Sequence, residues 1–340
     1  MIIKFKPEAS LDNIKEVEQK LLKLDQVVKQ VSVGDDKYLA TSGDQRNIQF
    51  DKISSLPYVS MLVEDPPAYY FTSKKFKSNP TIVKIGSVEI GNGQPVFIAG
   101  PCAIENRQDA LETAKAIKEA GADIYRGGVF KPRTTPYNYQ GIGHKGLEIL
   151  AEIRETYGIP VVTEVLDSED ISAVADHCDA IQVGTRNMTN SALLKRLGQT
   201  NKPIILKRGF SSKIEELIRA AEFITVYGNP HVILCERGIQ TFETYTRYTL
   251  DLSAVPAMKE LTHLPVIVDP SHGTGRPSLI PIMSKASIAV DADALMLECH
   301  IAPERMIKPG DDFQTLRPFE LSRLIKQVKT LHAQISAVSA

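Results

Sequence analysis

The sequence predicts an α/β chain in which a (β/α)8 TIM barrel follows an N-terminal ferredoxin-like βαββαβ domain. Two observations carry the barrel. From Pro95 onward, eight short apolar runs alternate with amphipathic stretches of helical length, which matches a closed eight-stranded barrel in count and size. The GxGxxG turn usual in an open doubly wound sheet, the structural rival, is missing. A different order of elements over the first 65 residues predicts the separate small domain. A length of 340 residues has room for both.

The small domain, 1–65, reads as strand 2–6, helix 10–24, strand 27–33, strand 37–42, helix 44–55 and strand 58–64. Leu11, Ile14, Val17, Leu21 and Leu24 share one face at 3.6 residues per turn, which predicts the first helix. Gly34-Asp35-Asp36 supplies the turn between the paired strands. Asp65-Pro66-Pro67 ends the module, and the polar stretch through Lys74-Lys75-Phe76-Lys77 lacks periodicity, so 66–80 reads as a linker. Residues 81–340 form the barrel unit. It opens with a hairpin, in which Ile82-Val83-Lys84-Ile85 and Val88-Glu89-Ile90 alternate around Gly86-Ser87. The barrel strands are then expected at 96–101, 124–128, 161–165, 181–184, 204–209, 232–238, 266–270 and 294–299.

Composition narrows the function classes. Hydrophobic residues at 43% and charged residues at 24% describe a globular chain with a sizeable core. A formal net charge of -1 gives no general attraction to nucleic acid or anionic membrane. No apolar run reaches the ~18 residues a membrane span needs, and the first six residues are too short an apolar stretch for a signal peptide. A cytoplasmic protein is expected. Its four cysteines, Cys102, Cys178, Cys235 and Cys299, form no CxxC and are expected as reduced thiols or ligands.

A barrel of this kind carries its active site at the C-terminal strand ends and the loops after them. In strand order those positions read Gly100-Pro101-Cys102, Arg126 with Lys131-Pro132-Arg133-Thr134, Glu164, Gly184-Thr185-Arg186, Lys207-Arg208-Gly209, Glu236-Arg237-Gly238, Asp269-Pro270-Ser271-His272 and Glu298-Cys299-His300. Six cations, Arg126, Lys131, Arg133, Arg186, Lys207 and Arg237, converge on one mouth. Any one of them alone reads as a solvated surface residue. Six at one level repel each other unless they face dianions, and guanidinium forks fit phosphate and carboxylate oxygens. Two phosphorylated small molecules are the expected ligands. Strand alternation points Arg208 away from Lys207, so it receives no role.

A second constellation joins Cys102, His272 and Glu298 from the first, seventh and eighth strands, which become neighbours when the barrel closes. Thiolate, imidazole and carboxylate together suit one divalent ion such as Mn, Fe, Co or Zn. The Gly310-Asp311-Asp312 loop is a source for a fourth ligand. Glu164 lies between the constellations, where anchoring a cation and transferring a proton are equally open roles. Gly273-Thr274-Gly275 reads as a lid hinge or an anion nest.

Gly100-Pro101-Cys102, Arg126-Gly127-Gly128-Val129-Phe130-Lys131-Pro132-Arg133-Thr134-Thr135-Pro136, Leu206-Lys207-Arg208-Gly209, Cys235-Glu236-Arg237-Gly238 and Asp269-Pro270-Ser271-His272 resemble 3-deoxy-D-arabino-heptulosonate 7-phosphate (DAHP) synthases, a likeness that spans nearly the whole chain. The subtype with a ferredoxin-like N-terminal regulatory domain is the most similar. The resemblance implies metal-dependent condensation of phosphoenolpyruvate with D-erythrose 4-phosphate and water, the first step of the shikimate pathway of aromatic amino-acid biosynthesis. It implies that Arg126, Arg186, Lys207 and Arg237 hold phosphoenolpyruvate, with Gly184 and Thr185 near its phosphate. Arg133 and Thr134 would hold the aldose phosphate, and Lys131 would act between the substrates. Cys102, His272, Glu298 and Asp311 would ligate the metal. The loop after Glu298 departs from the family's pattern, so Asp312 competes with Asp311.

The resemblance also implies a homotetramer inhibited by an aromatic amino acid, tyrosine or phenylalanine, through a module that covers the barrel mouth. The related octulosonate synthases usually read KANRSS-like where this chain has Lys131-Pro132-Arg133-Thr134, which favours the four-carbon aldose. Two rivals of other classes are a metal-dependent hydrolase, which needs one anion pocket rather than two, and a non-catalytic amino-acid sensor with a vestigial barrel.

Overall fold

The computed structural model describes residues 1–132, 135, 137–307 and 312–339. The N-terminal elements are β1 (Ile2–Phe5), α1 (Leu11–Leu22), β2 (Val27–Val33), β3 (Asp36–Ser42), α2 (Phe50–Ser54) and β4 (Val59–Val63). The sheet is antiparallel with strand order β2-β3-β1-β4, compatible with the ferredoxin-like arrangement. Ser10 caps α1, accepting from Asn13 N while the Asn13 side chain accepts from Ser10 N. Ile14, Val17 and Leu21 then face Ile3, Phe5 and Leu39 in one core. The second helix is shorter than the expected 44–55. Asp44 accepts from both the backbone and the guanidinium of Arg46, and such local bonds compete with the first helical turns.

After the hairpin β5 (Val83–Ile85) and β6 (Val88–Ile90) come β7 (Val96–Gly100), α3 (Arg107–Ala120), β8 (Ile124–Arg126), α4 (His144–Tyr157), β9 (Val161–Val165), α5 (Ile171–His177), β10 (Ala180–Val183) and α6 (Ser191–Leu197). The chain continues through β11 (Ile204–Lys207), α7 (Ile214–Val226), β12 (Val232–Glu236), α8 (Ala254–Leu261), β13 (Val266–Val268), α9 (Pro270–Thr274), α10 (Ile280–Ala289), β14 (Ala294–Glu298) and α11 (Pro318–Ser339). All eight expected barrel strands are present. They are parallel, and β14 pairs with β7 to close the barrel. No described helix is long and apolar enough to cross a membrane.

Strand alternation sorts the barrel residues. Ile98, Ile124, Val162, Ile205, Ile233, Ile267 and Met296 point inward and pack on Val83, Ile85 and Ile90, so the hairpin plugs the N-terminal end. Two residues further along the same inward parity come Arg126, Glu164, Lys207, Cys235, Asp269 and Glu298. The interior is therefore apolar at one end and ionisable at the other. Arg208 and Glu236 have the outward parity and form a buried ion pair of 2.8 Å, joined by Asp251 at 3.0 Å.

The segment expected as a polar linker carries buried Tyr70, Phe71, Thr72 and Ser73. Tyr70, Phe71 and Phe76 pack with Ile2, Val31 and Tyr38 of the small sheet and Val226 at the end of α7. Glu222 of α7 accepts from Phe71 N at 3.0 Å and Thr72 N at 2.9 Å, and the His263 ring pairs with Phe71 O at 2.9 Å. Helices return from the strand C-termini, so these partners lie at the N-terminal end of the barrel. The small domain is docked there, at the end opposite the mouth.

Candidate active site at the barrel rim

The closed barrel brings Cys102, His272 and Glu298 together, with their ligand atoms within 4.8 Å of one another. His272 sits in α9, whose N-cap is Asp269. The ring is aimed by Asp269, whose Oδ2 lies 2.7 Å from His272 Nδ1, and Nε2 is left 3.2 Å from Glu298 Oε1. A carboxylate on the far ring nitrogen is the usual companion of a metal-ligating histidine. Lys131 Nζ donates to Cys102 Sγ at 2.8 Å and to Cys102 O at 2.9 Å. A cation against the sulfur suits a ligating thiolate. The donor set and its spacing thus fit one divalent ion. Gly273-Thr274, expected as a hinge or nest, belongs instead to the short α9, and Gly275 caps it in the left-handed region.

The cations are less bare than the sequence implied, because carboxylates interleave with them. Arg126 Nη1 donates to Glu298 Oε1 at 3.0 Å, and Lys207 Nζ to Asp269 Oδ2 at 2.5 Å. Burial pushes the Asp269 carboxyl up, but His272 and Lys207 outweigh it and hold it well below the usual carboxylate range. Burial lowers the His272 ring below its ordinary value, against the opposing pull of Asp269. The Arg126 guanidinium is buried and its Nε has no partner among the described residues, an orphaned donor of the kind that awaits a ligand. Glu164 accepts from Gln182 Nε2 at 2.9 Å, and its carboxylate fills the space a side chain at 184 would need, so any larger residue there would displace it.

Arg126, Lys131, Glu164, Gly184, Thr185, Arg186, Lys207, Arg237 and His272 line one cleft with about 630 Å³ of space open to solvent. Arg133, Thr134 and Asp311 lie outside the described residues. Several groups in the network escaped the sequence reading of roles. Asp269 was visible only as part of a strand-end motif. Gln314 donates to Glu298 Oε2 at 2.7 Å and accepts from Arg247 Nη1 at 2.8 Å. Arg247, Phe210, Tyr248 and Gln182 also line the cleft. Gln182 had a signal, since it shares the inward parity of β10.

Comparisons with known proteins agree with this geometry. Residues 72–337 match the DAHP synthetase I family. The chain is 43% identical over 333 residues to the phospho-2-dehydro-3-deoxyheptonate aldolase of Thermotoga maritima, with 97% of each chain covered. The crystal structure of that Thermotoga maritima aldolase (DAHP synthase) superposes with a TM-score of 0.78 at 40% identity, covering 98% of this chain and 97% of that one. A 2-dehydro-3-deoxyphosphooctonate aldolase of Bradyrhizobium diazoefficiens is 32% identical over 258 residues, 70% of this chain and 91% of its own.

Proposed function

From the premise that the chain belongs to the DAHP synthetase I family, we propose how its rim divides the work of the reaction. The activity is that of DAHP synthase, the first step of the shikimate pathway, with phosphoenolpyruvate and erythrose 4-phosphate as substrates. One observation carries the assignment of residues: four different strands and the loops after them deliver Arg126, Arg186, Lys207 and Arg237 to one cleft, beside the Cys102, His272 and Glu298 cluster.

Arg126, Arg186, Lys207 and Arg237 hold phosphoenolpyruvate, with the Gly184-Thr185 backbone at its phosphate. Arg133 and Thr134 hold the phosphate of the aldose, and Lys131 stands between the substrates. Pinning both molecules by groups remote from the reacting carbons converts a chance encounter into an oriented one, worth up to about 7–11 kcal/mol in ideal cases. Carbon 3 of phosphoenolpyruvate attacks the aldehyde carbon, water adds at carbon 2, and phosphate leaves with cleavage of its C–O bond. Glu164 orients that water, and Lys131 supplies a proton toward the developing alkoxide. Cys102, His272 and Glu298, with Asp311 as fourth ligand, hold one divalent ion from among Mn, Fe, Co and Zn, which supplies Lewis acidity toward the aldehyde oxygen when bound.

The 1–65 domain acts as a regulatory unit for an aromatic amino acid, 66–80 joins it to the catalytic unit 81–340, and the assembly is a cytoplasmic homotetramer. Phosphate release from phosphoenolpyruvate with Mn, measured with erythrose 4-phosphate, with arabinose 5-phosphate and with no aldose, tests the reading. Release should depend on the four-carbon aldose. Release without aldose would indicate a hydrolase, and a preference for the pentose an octulosonate synthase. Metal content of Asp311→Asn and Asp312→Asn distinguishes the two candidate ligands: loss confined to the second would overturn the assignment.

A further inference from the structure

Among the cations of the cleft, Arg126 and Lys207 are paired with buried carboxylates. Arg186 and Arg237 meet no carboxylate among the described residues, and what they meet is aromatic. Phe210 and Tyr248 stack with centroids 5.3 Å apart and planes 16° from parallel. The Arg237 guanidinium carbon lies 4.0 Å from the Tyr248 centroid and 5.2 Å from that of Phe210, and the Arg186 carbon lies 5.3 Å from Phe210. Arg237 is only 3% exposed, and its one hydrogen bond among the described residues goes to Gly238 O at 3.2 Å. A guanidinium so buried normally has an anion beside it.

The aromatic pair is built in, not incidental. Gln240 N donates to Phe210 O at 2.7 Å, tying the loop after β12 to the loop after β11. Tyr248 N donates to Gly273 O at 3.0 Å, tying the same loop to α9. Gly238 has φ +90°, and a Cβ there would come within 2.7 Å of Tyr248 Cβ, so the ring reaches Arg237 only because the position lacks a side chain.

We propose that Phe210 and Tyr248 are positioning residues: an aromatic platform that holds Arg186 and Arg237 side by side with their N–H edges free for the phosphate of phosphoenolpyruvate. The inference rests on the reading that these two arginines bind that phosphate. A carboxylate partner would steady them too, but it would occupy the donor edges and cancel the charge the ligand needs. A ring attracts the cation through its face and accepts none of the in-plane N–H groups.

Loss of one ring face should weaken phosphoenolpyruvate binding by about 5–30-fold. The experiment compares Phe210→Leu, Tyr248→Leu and Tyr248→Phe in the full-length, metal-loaded enzyme. Both Leu variants are expected to raise the KM for phosphoenolpyruvate in that range, with kcat and the KM for erythrose 4-phosphate changed less than about threefold. Tyr248→Phe, which keeps the face, should bind like the parent. Unchanged phosphoenolpyruvate KM in the Leu variants, or equal damage to both substrates, overturns the platform. Should Phe210→Leu fail to fold, Tyr248→Leu reads the contact on Arg237 alone. Arg237→Ala serves as the control on the underlying reading. If it leaves the phosphoenolpyruvate KM unchanged, the phosphate assignment fails. If it raises KM while the Leu variants do not, only the platform fails.

Discussion

Replacing Asp269 by Asn changes almost no volume, yet it should disturb both the metal cluster and the fold. Asp269 is fully buried, and its two oxygens serve three donors: His272 N at 2.9 Å, His272 Nδ1 at 2.7 Å and Lys207 Nζ at 2.5 Å. An Asn can keep one oxygen on His272 N, so the cap of α9 survives. Its NH2 then faces Lys207 and Nδ1, both donors in the parent. Lys207 loses its counter-charge while 3% exposed, and breaking a buried pair in this way costs about 3–5 kcal/mol. Facing an NH2, Nδ1 must become an acceptor, which moves the ring proton to Nε2, the nitrogen turned toward Glu298 and the metal cluster. Loss of such a carboxylate behind a metal-binding histidine typically weakens metal affinity 10–100-fold, or about 1.4–2.8 kcal/mol. Chelator-stripped protein titrated with Mn, alongside thermal melts with and without metal, reads both effects. An Asp269→Asn protein that binds Mn as tightly as the parent would refute the tautomer argument, and one that melts at the parent's temperature would refute the pairing argument.

Gly184→Ala would drive a methyl group into the Glu164 carboxylate, so it and Glu164→Gln should each lower kcat by tenfold or more, roughly the lower end for a lost acid–base or water-positioning group; steady-state turnover at the parent's level in either removes Glu164 from the chemistry. Burial pushes the Glu222 carboxyl up to about 7 from its ordinary 4.5, despite its bonds from Phe71 N and Thr72. The folded chain therefore holds a proton that the unfolded chain has released between those values, and Glu222 favours folding less and less as pH rises from about 4.5 to 7. Melting curves of the parent and Glu222→Gln should diverge across that window and run parallel above it; a pH-independent difference contradicts the account. Removing residues 1–68, which spares Tyr70, Phe71 and Thr72, should leave synthase activity within a few-fold and abolish inhibition by tyrosine or phenylalanine. Retained inhibition would place the effector on the barrel.

Much of the fold was legible because a barrel repeats one pattern eight times, so a misread unit is outvoted by the others. Period-2 alternation told Lys207 from Arg208, and closure of the barrel predicted that Cys102, His272 and Glu298, at the ends of the first, seventh and eighth strands, would meet, as they do. The failures have local or distant causes. The helix expected at 44–55 shrank to Phe50–Ser54 because Asp44 and Arg46 bond to each other in the first turn. Segment 66–80 read as polar because Lys74, Lys75 and Lys77 surround its aromatics, and its anchor Glu222 lies some 150 positions away in sequence. Asp269 shared the inward parity of β13, but only packing reveals that it serves Lys207 and His272 at once. Phe210 and Tyr248 are loop residues, whose partners no periodicity predicts.

The two constellations that the sequence kept apart, cations for anions and ligands for metal, are one network in the fold. Arg126 touches Glu298 and Lys207 touches Asp269, so two of the groups assigned to phosphoenolpyruvate also balance carboxylates of the metal cluster and its support. Cations gathered at one rim repel each other without such balance, and a rim fully balanced by its own carboxylates would have no charge left for a ligand. The structure divides the problem. Carboxylates pair with Arg126 and Lys207, while Arg186 and Arg237 meet aromatic faces, which on the platform proposal steady them without neutralising them. That arrangement would leave positive charge at Arg186 and Arg237, where the phosphate is proposed to bind. If Arg126 holds phosphoenolpyruvate as proposed while paired with Glu298, metal and phosphoenolpyruvate should alter each other's affinity by the same factor; equal phosphoenolpyruvate affinity with and without Mn would refute that coupling.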